Sequence, residues 1–223
     1  MTNAEIKQVL LNKNVQHLYH TNTVETSISF LKCNGLMSRG YCQDKNLPQT
    51  YQYTDNSDKR YGIFYDIFFD SIEIQERTGI SYYGPVMFVY SIDVLDTVKE
   101  GHIRITKMNP EKWTPNMSIS EKYFMNINEL ATEFVKGDFG QHITLTNQVN
   151  PLSFDYLEKV VLSDPQQKDN SLYQIAEKTL RPLISSICGF PLTIRDYAYT
   201  ERFFDTYTNA NKLQCHYGLG GHI

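Results

Sequence analysis

Cysteine is scarce and unpaired in this sequence. Cys33, Cys42, Cys188 and Cys215 are the only four in 223 residues, and no two are spaced as Cys-x-x-Cys. That removes the spacing of a structural zinc site and of a thioredoxin-type redox motif, and leaves free, mostly buried thiols as the expected state. Cys215 and His216 are neighbours, and two adjacent ligands rarely converge on one ion, so no metal is expected. A cationic excess is missing as well. Lys and Arg total 21 against 25 Asp and Glu, a formal charge of -4, so the field of the whole molecule does not draw in nucleic acid and any affinity for it must come from a local basic groove. The opening "MTNAEIKQVLL" carries no basic segment followed by a long apolar one, and no apolar run reaches the length of a bilayer. The chain is therefore expected in the cytoplasm, with no membrane partner. There is no repeat and no low-complexity linker; turn-rich breaks near residues 43 to 60, 108 to 120 and 163 to 171 read as loops inside a single domain, residues 1 to 223. At 41% hydrophobic residues, such a domain can bury a sizeable core.

What is present is a mixture of helical and strand signals. Residues 3 to 12 place Ile6, Val9 and Leu10 on one side of a short helix with Asn3 as its candidate cap. "VQHLYH" reads as a strand ending in His20. Thr21 or Thr23 caps a following helix in which Val24, Ile28 and Leu31 recur, and Asn34-Gly35 supplies a left-handed stop. "YGIFYDIFF" and "GPVMFVYSIDV" are aromatic and branched enough for strands, with Pro85 at the start of the second. "GHIRITKM" and "HITLTNQV" alternate as half-buried strands do. "PLSFDYLEKVVLSDP" leads from turn formers into a short strand bearing Glu158 and closes at Asp164-Pro165; residues 171 to 187 then form a helix that Pro182 should kink or split. The class is α+β, mostly antiparallel.

Three segments resemble known enzymes. "LYHTNTVETSISFLKCNGLMSRG" is similar to the opening of the DarT-type nucleic-acid ADP-ribosyltransferases, which begin with a strand ending in His, a polar turn, a helix and a "GL.SR" segment. The resemblance implies that His20 and Asn22 line an NAD pocket and that Arg39 approaches the pyrophosphate or the reacting ribose. "YGIFYDIFFD" resembles the aromatic strand that supplies the nicotinamide-stacking tyrosine, here Tyr65 or else Tyr61, and "FDYLEKVVL" offers Glu158 as the catalytic glutamate. The chain reads His20-Thr21-Asn22 where the DarT pattern has His-x-Thr. The implied fold is a split antiparallel β-sheet core with flanking helices. The implied function is NAD-dependent mono-ADP-ribosylation of DNA or RNA by a bacterial or phage toxin or defence effector, with an antitoxin partner and no metal.

The chemistry asks for these residue types. Nicotinamide leaves a cationic ring and departs neutral, so no general acid is needed, unlike a glycosidase that protonates its leaving oxygen. One carboxylate, assigned to Glu158, can bond a ribose hydroxyl, stabilise the charge developing at the anomeric carbon and orient the acceptor. A tyrosine face holds the nicotinamide, and His20 donates to a ribose hydroxyl at the other end. The ordinary alternatives are a solvated Glu158, a core Tyr65 and a surface pair between Arg39 and Asp44.

Other groupings have weaker claims. Asp66 and Asp70 share a strand face with Glu73 on the opposite side, and a helix after residue 70 would instead bring Asp70, Glu73 and Glu76 together; the group reads as a solvated acidic face more than a site for a hard cation. "YGLGGHI" lacks the lysine of a phosphate loop. Lys107, Lys112, Trp113, Lys122 and Tyr123 surround one loop and are the candidates for a groove holding nucleic acid. Two further functions fit the same sequence: an RNA 2'-phosphotransferase, depending on His and Arg more than on Glu158, and an interaction module that consumes no NAD.

Overall fold

The computed structural model describes residues 1–74, 83–164 and 171–196. The first helix, α1 (Asn3–Asn12), starts from Thr2 and not from Asn3. The Thr2 hydroxyl accepts from Glu5 N, while the Glu5 carboxylate accepts from Thr2 N at 2.7 Å, a reciprocal cap. Asn3 is buried and donates from its side-chain amide to the Val98 carbonyl at 2.8 Å. Ile6, Val9 and Leu10 form the buried face that their spacing predicts.

Strand β1 (His17–Asn22) runs two residues past the point where the sequence suggests it stops. Its later partner, the 86–91 strand, pairs with it from His17 opposite Ser91 to Asn22 opposite Val86, so His20 lies inside the strand, opposite Phe88. Thr23 caps α2 (Val24–Lys32), and Asn34, at φ 51°, turns the chain in the left-handed region into β2 (Gly35–Leu36). Two short helices follow, α3 (Arg39–Asp44) and α4 (Asp55–Tyr61). The second occupies part of a stretch expected to be loop, and it takes Tyr61 out of the expected "YGIFYDIFF" strand. Gly62, at φ 71°, ends it, and Ile63 N bonds back to Asp58 O at 2.9 Å. Only Ile67–Phe69 remains extended, as β3.

Then come β4 (Val86–Ser91), β5 (Ile103–Ile105), the short helices α5 (Ile119–Lys122) and α6 (Ile127–Glu133), β6 (Ile143–Leu145), β7 (Leu152–Ser153), β8 (Leu157–Asp164), α7 (Ser171–Cys188) and β9 (Thr193–Asp196). The fold is α+β, and its main sheet is split. One part has the order β1-β4-β8-β9 and the other β3-β6-β5, with β2 and β7 paired separately. Among the described residues a single bridge joins the two parts: Tyr19 N donates to Asp70 O at 3.0 Å, and Asp70 N to Tyr19 O at 2.9 Å. Pairing is antiparallel except between β8 and β9.

β5 keeps the expected alternation, exposing Arg104 between two buried isoleucines. β6 does not, because it is the middle strand of its sheet and is buried at all three positions, Thr144 included. Helix α7 passes through Pro182 unbroken. Its buried residues Ala176, Leu180 and Ile184 recur every four positions, while Pro182 and Lys178 are exposed, so the carbonyl that loses its donor faces water. One large core joins α1, α2, the inner faces of both sheets and α7. Cys33, Cys42 and Cys188 are free thiols. Glu76, Pro165, Cys215, His216 and the C-terminal "YGLGGHI" lie outside the described residues. Among those described, no helix is long and apolar enough to cross a membrane.

Candidate active site at the split of the sheet

Where β1 and β3 part, a cleft partly open to solvent is lined by His20 and Asn22 from β1, Arg39 from α3, Asp58 from α4, and Asp66, Phe68 and Asp70 around β3. The bridge at Tyr19 and Asp70 holds the two strands together at its base. Gly84 closes the approach from the start of β4: a Cβ there would lie 2.2 Å from the Asn22 carbonyl oxygen, at a φ of +135°.

His20 has a defined tautomer. Its Nδ1 is 2.9 Å from the Phe68 carbonyl oxygen, which can only accept, so Nδ1 carries the proton. Nε2 is then the acceptor and faces the Asn22 amide at 3.4 Å, while Asn22 Oδ1 accepts from Thr23 N at 2.9 Å. Burial lowers the His20 pKa, the nearby Arg39 charge lowers it further, and the Phe68 carbonyl and Asp70 oppose them. The sequence suggests a donor role for His20; with Nδ1 committed to Phe68, the ring offers Nε2 as an acceptor to an incoming hydroxyl.

Arg39 opens α3 behind the Ser38 cap. Its surface pairing with Asp44 does not form; Asp44 instead accepts from the Tyr65 hydroxyl at 2.8 Å. Arg39 turns inward to Asp55, with Nε 3.0 Å from Oδ1 and Nη2 2.7 Å from Oδ2. Both side chains are nearly buried, 12% and 8% exposed. The remaining nitrogen, Nη1, is buried with no hydrogen-bond partner. A buried guanidinium with one unmet donor fits an oxyanion of a diphosphate.

Two carboxyls in the cleft are displaced upward. Burial pushes Asp58 to about 6 against the pull of the Thr54 hydroxyl, and pushes Asp66 to about 6 against the Asn147 N–H, which donates to Asp66 Oδ1 at 2.9 Å. Asp70 sits 3.6 Å from His142 Nδ1, and the His142 ring meets Phe68 edge-on. Asp66 and Asp70 thus face a cavity, where the sequence suggested a solvated acidic face. Glu73 pairs with Arg195 elsewhere.

Tyr65 and Glu158 are not among the cleft's lining residues. The Tyr65 ring lies against α3, where a Cβ on Gly40 would be 2.6 Å from it, so only glycine lets that ring pack there. Tyr61 donates to the Trp113 carbonyl and packs its ring 5.7 Å from that indole. Glu158 sits at the register shift between β4 and β8, exposed, with Oε2 3.0 Å from His17 Nε2. Among the described residues, the tyrosine and phenylalanine rings that line the cleft are Tyr19, Phe68 and Tyr83. Sequence reading missed Asp55, Asp58 and His142. For His142 a signal existed, since "QHITL" repeats the placement of a histidine on the polar side of a strand run. For the two aspartates, on a helix read as loop, there was none.

No family model matches the chain, and no curated protein matches it in sequence. Among solved structures, the DarT of Thermus sp. 2.9, in complex with ADP-ribosylated ssDNA, is similar to it over 81% of this chain and 93% of that one, at 10% identity and a TM-score of 0.48.

Proposed function

We propose that the chain is an ADP-ribosyltransferase that takes NAD in the cleft at the split of the sheet and transfers ADP-ribose to a nucleic-acid acceptor. The reading is carried by one observation: His20, Asn22 and Arg39, all from the stretch that resembles the DarT-type enzymes, line one cleft in which the arginine has a buried, unmet Nη1. In this reading Nη1 holds a phosphate oxygen, and His20 Nε2 accepts a ribose hydroxyl proton. The resemblance implies Tyr65 for the aromatic wall, while the rings that line the cleft offer Phe68, Tyr19 or Tyr83 for it.

Two carboxylates are candidates for stabilising charge on the ribose. The resemblance assigns Glu158; the geometry of the cleft offers Asp70, whose charge already acts on His20. Labelled NAD incubated with separate DNA, RNA and protein pools tests the whole reading. Wild type should label a nucleic-acid pool, and either Glu158→Gln or Asp70→Asn, while folded, should lower transfer by about a hundredfold or more. Absence of both label and released nicotinamide with wild type would sink it. The same reading makes the chain a bacterial or phage toxin or defence effector with an antitoxin partner. Its production in bacteria should then stop growth, and the inactive carboxylate variant should be tolerated at equal abundance.

A second reading has its own support. His20, His142 and Arg39 line the cleft and Glu158 does not, the residue balance expected of an RNA 2'-phosphotransferase. In that case nicotinamide is released only when a 2'-phosphorylated RNA is supplied.

A further inference from the structure

Beside the cleft lies a second pocket that shares Ile63 and Asp66 with it. The rest of its wall includes Tyr61, Arg104, Trp113, Lys122 and Tyr123. Trp113 is 4% exposed, and its Nε1, which can donate but not accept, is buried without an acceptor. Buried donors are normally met, and one left open at a pocket wall asks for an incoming oxygen. Two cations stand at the same wall. The Lys122 ammonium is 5.2 Å from the centre of the Trp113 ring and 5.1 Å from that of Tyr61, and the Arg104 guanidinium is 5.3 Å from that of Tyr123. Among the described residues neither cation is in an ion pair with a carboxylate, whereas Lys107, from the groove expected on sequence grounds, is paired with Glu129 away from this pocket.

These groups select the ligand chemistry. Trp113 and Tyr123 are each 4% exposed and already contact each other and the cations, so they present no free face for a base to stack on. What the pocket does present is two positive charges and an N–H donor, partly offset by Asp66, whose carboxylate is held by Asn147 N. An oxyanion with several oxygens matches that set.

We propose that this pocket binds a phosphate group, and that during transfer it holds a phosphodiester of the acceptor strand next to the cleft. The second half rests on the transferase reading; phosphate binding itself does not. Two sources share the chemistry, a nucleic-acid backbone and free phosphate, and the experiment separates them. Trp113 is the sole tryptophan, so its fluorescence reports on this pocket. The full chain, without NAD, is titrated with inorganic phosphate and, separately, with a short single-stranded DNA and the matching RNA. The expected result is a fluorescence change with both ligands, at far lower concentration for a strand. Lys122→Gln and Arg104→Gln should each weaken strand binding about tenfold and reduce its salt slope by about one. Lys107→Gln should do neither, and Lys122→Arg should restore binding. Strand affinity unchanged in both charge-removing variants, with unaltered circular dichroism and melting, overturns the proposal. A response to inorganic phosphate with none to either strand overturns the acceptor assignment. Since NAD is absent throughout, failure of the transferase reading shows up in the labelling assay and not here.

Discussion

Arg39, at the wall of the cleft, and Asp55 behind it hold each other by two parallel bonds, Nε to Oδ1 at 3.0 Å and Nη2 to Oδ2 at 2.7 Å, which fixes where the third guanidinium nitrogen points. The pair links the first turn of α3 to the first turn of α4. Removing one partner of a nearly buried pair strands the other charge. Asp55→Ala should therefore lose about 3 kcal/mol of stability in urea unfolding. Arg39→Lys, which keeps the charge but not the fork, should fold and yet bind NAD at least about tenfold more weakly by calorimetric titration. Full affinity in Arg39→Lys would remove Nη1 from the diphosphate site.

The tautomer of His20 gives a pH test. Its pKa is lowered from 6.5, chiefly by burial, so the unfolded chain binds the proton more readily than the folded one. The stability this group contributes is complete above pH 6.5 and is lost as the pH falls through its lower folded value. Nε2 accepts only while neutral, so NAD affinity should stay flat from pH 8 through 6.5 and fall only as the pH nears the lower folded value. His20→Ala should bind more weakly throughout and lose that part of the slope, as calorimetry at several pH values would reveal.

Asp66 has the opposite sign. Its carboxyl is raised from 3.8 to about 6, so the folded chain holds the proton that the unfolded chain has released, and stability falls as pH rises between those values. Asn in its place keeps an oxygen for the Asn147 N–H and removes the titration. Urea unfolding from pH 4 to 8 should find Asp66→Asn gaining on wild type as pH rises, with the difference levelling off above about 6. A constant difference across that range would mean that burial does not hold the carboxyl protonated.

Gly40 is required by contact and not by backbone angle, since a Cβ there would meet the Tyr65 ring at 2.6 Å. Gly40→Ala should cost about 1 to 3 kcal/mol, the range for overpacking a close contact. The double variant with Tyr65→Ala should recover part of it, because the ring that clashes is gone. A fully additive pair of losses would mean that Ala is accommodated by a shift of α3 instead.

Much of the fold was legible in local sequence. The period of Ile6, Val9 and Leu10, the Thr23 cap, the Asn34-Gly35 stop and the aromatic run at Val86–Ser91 each encode an element within a few neighbouring residues. Local signals also led astray. The aromatic stretch after Tyr61 has strand composition, but Gly62 in the left-handed region and the turns at Ile63 and Asp66 shorten it to Ile67–Phe69. Pro182 is tolerated because the helix turns that residue to water.

What the sequence by itself determined is the set of chemical groups in one short opening stretch, since His20, Asn22 and Arg39 lie within twenty residues and need only a strand, a helix and a turn to meet. Tertiary structure decided the rest, because the cleft forms where two sheets part, and partners across that gap are far apart in the chain. The Phe68 carbonyl that sets the His20 tautomer is 48 residues away, and the Asn147 amide that holds Asp66 is 81 away. Burial, which depends on the whole packed chain, moved Asp58 and Asp66 from surface acids to groups that titrate near 6. Glu158 stands two strands from β1 and beside His17, a neighbour that the order of strands in the sheet alone selects.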